Sequence, residues 1–251
     1  MLKQINYAII ISILISYSNT CFCQSNAKKE ISSYFDKTVG EEILNSNNGK
    51  IYIDHYNLKN DHNFYLNKDF VAGTVYYDSQ LYENIRIKYD IYKDQLVKSF
   101  GNTNSLAITL ISKKTDYFLI GDKRFVNIDN KYKYPKEVTG FFEEKYLGKN
   151  VCLYIKHFKT SKEIITETTV DTEFKEYSNY ELLFESKFRL INTQKELLLI
   201  FPQLKSEIKD YYRKNKFQEE NSPDQFKADL IKFIDNNLQS LTSKIQWKNI
   251  S

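Results

Sequence analysis

Between Phe70 and Phe158 the chain runs in short stretches of alternating apolar and polar residues, and each stretch ends in a brief cluster of turn residues. That spacing constrains the fold more than any other feature. Parallel strands need crossover connections of about a dozen residues or more, so strands joined this tightly must lie antiparallel. The strand-like runs are Phe70–Tyr77, Leu81–Ile91, Leu96–Phe100, Leu106–Ser112, Tyr117–Ile120, Arg124–Ile128, Gly140–Leu147 and Val151–Phe158. Asp78-Ser79-Gln80, Lys93-Asp94-Gln95, Gly101-Asn102-Thr103-Asn104-Ser105, Gly121-Asp122 and Gly148-Lys149-Asn150 supply turns between them. In the second run Leu81, Ile85, Ile87, Tyr89 and Ile91 alternate with Tyr82, Asn84, Arg86 and Lys88. This is the pattern of a half-buried strand, and it places Tyr89 in the core and Tyr82 on the exposed face with Arg86 and Lys88.

Outside this region the signal weakens. Ile51–Tyr56 alternates and is a candidate strand, and Phe35, Val39 and Ile43 are spaced for a short helix that Asn45–Gly49 would break. Lys159–Asn179, rich in Thr, Glu and Lys, is expected to form a long polar hairpin tip or a loop, followed by one strand over Tyr180–Leu190.

The period then changes from two to that of a helix. Thr193-Gln194-Lys195-Glu196 is a capping box ahead of Leu197–Phe201. Pro202 suits a first helical turn, with Leu204, Ile208 and Tyr211 or Tyr212 as its stripe. Ser222-Pro223-Asp224-Gln225 starts another helix, in which Phe226, Leu230, Ile234 and Leu238 recur every fourth residue beside Ile231 and Leu241. Twenty Tyr and 17 Phe against 7 Gly and 3 Pro favour pleated sheet. The expected fold is α+β: an antiparallel β-meander forming a curved sheet or half-barrel, with two to three C-terminal helices packed on it. One domain is expected over residues 24–251, β-rich at 50–192 and helical at 193–241.

The first 23 residues read as an export signal. Lys3 is their only charge, Tyr7–Ser16 is an apolar run, and Cys21-Phe22-Cys23-Gln24 offers small residues at a cut after Cys23. The run is about half the length of a membrane-spanning helix, so no membrane span is expected in the mature chain. Lipidation of Cys21 or Cys23 is the competing outcome, although neither follows a Leu-small-small pattern. A cut after Cys23 leaves Cys152 as the sole cysteine, unable to form an internal disulfide; Val151, Leu153 and Ile155 beside it mark it as a small packing residue. The expected location is therefore the periplasm or the exterior. The formal charge of +4 comes from interspersed signs, which is a solvated surface and not a nucleic-acid footprint.

Gly73-x-Val75-x-Tyr77, Tyr82-x2-Ile85-x-Ile87-Lys88-Tyr89-Asp90 and Asp94-x-Leu96 make up a recurrent hairpin pattern. With Gly140-Phe141-Phe142-Glu143-Glu144-Lys145-Tyr146-Leu147-Gly148-Lys149 and the helices after Pro202 and Ser222, it resembles a family of exported proteins of uncharacterised function from Gram-negative bacteria. Leu147 is displaced from that pattern by an insertion. The resemblance spans most of residues 70–240, implies an exported β-rich protein, and supplies no catalytic residues.

Local chemistry is sparse. No Gly-x-Ser-x-Gly elbow, phosphate loop or dinucleotide fingerprint occurs. The histidines are His55, His62 and His157; His55 and His62 stand beside Asp54 and Asp61 without metal-ligand spacing and are expected at the surface. Glu163, Glu167, Asp171, Glu173 and Glu176 lack calcium-loop spacing and alternate with Lys159, Lys162 and Lys175, as on a solvated hairpin. No metal or cofactor is expected. Tyr76, Tyr77, Tyr82, Tyr89 and Tyr92 cluster in one hairpin, and tyrosines on a sheet surface can stack on sugars or peptides. Tyr77, Tyr82 and Arg86 are the candidate ligand-binding residues. The function expected is non-enzymatic binding of a ligand or an envelope or extracellular partner. The alternatives are a hydrolase of cell-envelope or extracellular polymer with a dispersed carboxylate pair and a structural envelope component presenting a sheet edge.

Overall fold

A computed structural model describes residues 49–100, 106–132 and 138–248, with side chains up to residue 238. The expected leader, the helix around Phe35, Val39 and Ile43 and the turn at Gly101–Ser105 lie outside them, as does the side chain of Leu241. The chain divides between Asn48 and Gly49, and every element named below belongs to the second unit.

The fold is α+β. Eleven described strands form one antiparallel sheet: β1 (Lys50–Ile51), β2 (Val71–Tyr77), β3 (Gln80–Asp90), β4 (Gln95–Ser99), β5 (Ala107–Thr109), β6 (Thr115–Ile120), β7 (Lys123–Asn127), β8 (Phe141–Leu147), β9 (Val151–Ile165), β10 (Val170–Phe184) and β11 (Lys187–Leu190). Their order is β1-β5-β4-β3-β2-β6-β7-β8-β9-β10-β11, and the sheet does not close. Two meanders thus diverge from β2, one through β3 to β5 and the other through β6 to β11. A short helix α1 (Ile128–Lys131) follows β7, and the chain ends in α2 (Gln194–Ile200), α3 (Lys205–Lys214), α4 (Lys216–Asn221) and α5 (Pro223–Lys248).

The step from β5 to β6 requires the sheet to curl. Flat, those strands would stand four spacings apart, about 19 Å. The connection passes through the 3-10 turn Ser112–Lys114, and a segment shortened in that way reaches only about 15 Å. Ring contacts show the same curl: Tyr89 on β3 meets Phe141 on β8 with centroids 6.0 Å apart, although four strand spacings separate them along the sheet. The face carrying Val75, Ile87, Tyr89, Phe118, Phe125 and Phe141 is therefore concave, and all six residues are buried. Farther along the same face, Leu153, Ile155 and Leu182 form a core with Phe201, Ile208, Phe226 and Ile231 of the helical region. The other face carries a smaller cluster of Val126, Phe142, Tyr154 and Phe188.

The capping box at Thr193 is present, with Thr193 accepting from the Glu196 N–H and Glu196 accepting from the Thr193 N–H. Leu204, Ile208 and Tyr212 are buried, as are Phe226, Leu230, Ile231 and Ile234 of α5. Between β1 and β2 the chain crosses the curl. Leu58 bridges Thr172, Phe64 bridges Asp90, and Lys159 Nζ donates to Asp61 (2.7 Å) and to the His62 carbonyl (2.6 Å).

Four expectations are corrected or narrowed. Tyr82 is buried, at 3% exposure. The register slips between Gly73↔Ile85 and Val75↔Tyr82, so β3 carries an extra residue and Tyr82 moves onto the face of Ile85, Ile87 and Tyr89. Asn84 absorbs the bulge at φ 55°. Asn84→Gly is expected to leave stability within about 0.5 kcal/mol, whereas Asn84→Val should lose about 1–2 kcal/mol in urea unfolding. Second, of the hairpin tip and the loop expected for Lys159–Asn179, the hairpin is the one formed: β9 and β10 pair without a slip from Phe184↔Val151 to Val170↔Ile165. Its composition is polar because most of the ribbon is solvated, with only Lys159, Thr172 and Phe174 buried, and opposite charges face each other at Glu173↔Lys162 and Glu176↔Lys159. Third, Tyr180–Leu190 folds back as a hairpin at Glu185-Ser186 (φ 51° and 60°). This two-residue turn lacks the glycine or asparagine that usually marks one. Fourth, β1 and β5 are shorter than the alternation suggests, since Leu106 and Ile53 stand exposed outside the ladder.

Candidate functional site

Neighbouring strands place polar side chains on the concave face where the helical core meets the aromatic core. Along β9, Val151, Leu153 and Ile155 lie under the helices, and the same alternation carries His157 inward. Ser178 is its cross-strand partner on β10. Glu143 on β8 opposes Ile155, which sets its carboxylate beside the imidazole. His157 and Glu143 are each 3% exposed. His157 Nε2 lies 2.7 Å from Glu143 Oε2, and His157 Nδ1 lies 3.3 Å from Ser178 Oγ. Lys123 Nζ donates to both Glu143 oxygens at 3.2 Å, and Lys145 Nζ lies 3.5 Å away.

The first turn of α5 adds Asp224, whose Oδ1 accepts from Tyr180 Oη at 2.8 Å. Donor atoms of Glu143, His157 and Asp224 all lie within 4.8 Å of one another. Tyr65 closes the other side, its ring 4.8 Å from that of His157. Burial disfavours the Glu143 carboxylate, but His157, Lys123 and Lys145 outweigh burial and hold its pKa down at about 2. Burial likewise opposes the Lys123 ammonium, yet Tyr65 and Glu143 push its pKa up to about 12. Tyr65 is itself raised to about 12, by burial first and then by the charge of Glu143.

Glu143 opens onto a crevice of about 360 Å³ between the β7–β8 hairpin and α5. Lys123, Arg124, Lys145 and Lys232 line it together with Asp122, Glu143, Glu144 and Asp229. Arg124 Nε donates to Glu144 at 2.7 Å, and Lys131 also pairs with Glu144. The walls are thus charge-balanced. Ser178 and His157 do not line the crevice, so the Ser178–His157–Glu143 string does not present a serine nucleophile to it. A larger hollow of about 540 Å³ beside β1 is bordered by Ile51, Ile53, Ile111 and His55; its lining residues do not include a buried titratable cluster.

Tyr77, Tyr82 and Arg86 do not line this crevice. Tyr77 and Tyr82 are buried, at 0% and 3% exposure, and the Arg86 guanidinium lies 6.0 Å from the Phe70 ring. His55 is exposed, while His62 is half-buried and accepts the Phe64 N–H at its Nδ1. Cys152 is half-buried, and burial raises its thiol pKa. Glu163, Glu167 and Glu176 are exposed along the β9–β10 ribbon. Glu143, His157 and Asp224 escaped notice because no short motif joins them, although the inward phase of His157 was visible in the β9 alternation. No family model, curated protein or solved structure matches this chain.

Proposed function

We propose that this chain is an exported, non-enzymatic binding protein of the periplasm or cell exterior, and that it holds a small polar ligand in the crevice between β7–β8 and α5. The observation that carries the proposal is the crevice wall, where four cationic and three further anionic side chains meet over a buried, ionised Glu143. Such a lining complements a ligand bearing both signs of charge, such as an amino acid or short peptide. The volume falls within the usual range for small-molecule sites. Export is supported by the leader pattern of residues 1–23 and by the resemblance of the Gly73–Leu96 and Gly140–Lys149 motifs to exported proteins. Among the described residues no helix is long and apolar enough to cross a membrane.

A hydrolase is the second reading, favoured by the approach of the Glu143 and Asp224 carboxylates. Glycoside cleavage, however, needs a carboxylic acid kept protonated near neutral pH, and Glu143 is held in the opposite state. Glu181, pushed up to about 7 by burial and Glu196, is not among the residues lining the crevice.

Thermal unfolding with a panel of amino acids and dipeptides tests the proposal. A true ligand at a hundredfold excess over its Kd should raise Tm by about 5 °C or more, and Lys232→Glu should abolish the rise. A panel that leaves Tm unmoved, or a rise that Lys232→Glu leaves intact, would overturn the crevice assignment. Sequencing the mature N-terminus tests export, with Gln24 as the expected first residue.

A further inference from the structure

We propose that Glu143, His157 and Asp224 form a binding site for a divalent transition-metal ion, zinc being the best match, whatever the crevice above them binds. Buried charges in proteins are paired or coordinate metals, and here the donor types converge. Each of the three residues has an outer partner on one atom and lies within reach of the other two at the shared centre. Ser178 Oγ meets His157 Nδ1 and can accept a proton there, so a metal ion at Nε2 would take the place of the proton that Nε2 shares with Glu143. Tyr180 Oη occupies Asp224 Oδ1, and Lys145 Nζ approaches Glu143 Oε1. Histidine ligands whose second nitrogen is hydrogen-bonded, and carboxylates held from behind, are the recurrent outer arrangement of metal sites.

The dimensions agree. Zinc takes imidazole nitrogen and carboxylate oxygen at about 2.0–2.2 Å, so a tetrahedral ion holds its donor atoms about 3.4 Å apart. The three donors already lie within 4.8 Å of one another, and the 2.7 Å contact between His157 and Glu143 must open by less than about 1 Å. One imidazole with two carboxylates suits zinc or manganese better than calcium, which takes six to eight oxygens. Lys123 is the competitor. Its ammonium sits 3.2 Å from both Glu143 oxygens, where a cation would bind, and its side chain is 24% exposed toward the crevice. Metal entry therefore displaces Lys123 outward.

Calorimetric titration of the EDTA-treated, desalted full chain with ZnCl2 at pH 7 tests this. About one equivalent should bind; His157→Ala and Asp224→Asn should each weaken binding about a hundredfold, and His55→Ala should leave it unchanged. Lys123→Ala keeps all three ligands and should tighten binding about tenfold, because it removes the competing charge. CaCl2 should not displace the zinc. The site is refuted if the wild type binds no zinc, if affinity survives His157→Ala, or if Lys123→Ala fails to tighten binding. Should circular dichroism show that His157→Ala does not fold, Asp224→Asn and Lys123→Ala decide by the same criteria.

Discussion

Asp235→Ala is expected to lower the free energy of unfolding by about 3–5 kcal/mol. Asp235 sits in the middle of α5 and is 1% exposed. Its Oδ2 accepts from Tyr146 Oη and the Lys149 N–H, both at 3.0 Å. Its Oδ1 accepts from the Asn150 N–H at 2.9 Å and from Asn150 Nδ2 at 2.8 Å. One carboxylate thus satisfies the β8–β9 turn and clamps it to α5. Alanine would strand two backbone donors in a place water reaches poorly, each at a cost of about 1–3 kcal/mol. Burial opposes ionisation of Asp235, but these four donors prevail and hold its carboxyl below the usual aspartate range. Because the folded-state pKa is the lower one, the contribution is complete above the unfolded value of about 3.9 and disappears as pH falls through the folded value. Asp235→Asn, which keeps one acceptor, should lose about 2 kcal/mol. A loss under about 1 kcal/mol for alanine in urea unfolding at pH 7 would mean that the turn finds other acceptors.

The second large effect belongs to Glu143→Gln. The glutamine fills the same volume but cannot balance Lys123, Lys145 and His157. A folded pKa of about 2 against about 4.3 for an unfolded glutamate corresponds to about 3 kcal/mol of stabilisation at neutral pH. Glu143→Gln should therefore lose about that amount at pH 7, and the paired loss should move with Lys123. In Lys123→Met, removing Glu143 should cost less than it does in the wild-type background, by about 1–2 kcal/mol of coupling.

The antiparallel meander was legible because its connections are too short for any other pairing, and the helix starts at Thr193 and Ser222 carry their own capping chemistry. The bulge at Asn84 was not legible. Asparagine tolerates a positive φ without demanding one, and a single extra residue reverses the phase of everything before it, including Tyr82. The Glu185-Ser186 turn was hidden for a related reason: neither residue announces a left-handed conformation. Residues 159–165 and 170–179 show no continuous apolar face because most of the ribbon they form is solvated, Phe174 being the one large apolar side chain it buries. The site was half visible. His157 shares the inward phase of Val151, Leu153 and Ile155, but its partners arrive from β8 and from the first turn of α5, and only tertiary packing brings them together.

The central claim is that a buried, ionised Glu143 anchors the polar centre beneath the start of α5. Unfolding free energy measured from pH 7 to pH 2 in EDTA, for wild type and Glu143→Gln, tests it most directly. A carboxylate whose folded pKa lies below its unfolded one stabilises above the unfolded value and loses that stabilisation as pH falls through the folded value. The two curves should stand about 3 kcal/mol apart at pH 7, converge below about pH 4.5 and meet near pH 2. Parallel curves, or a Glu143→Gln protein as stable as wild type at pH 7, would contradict it.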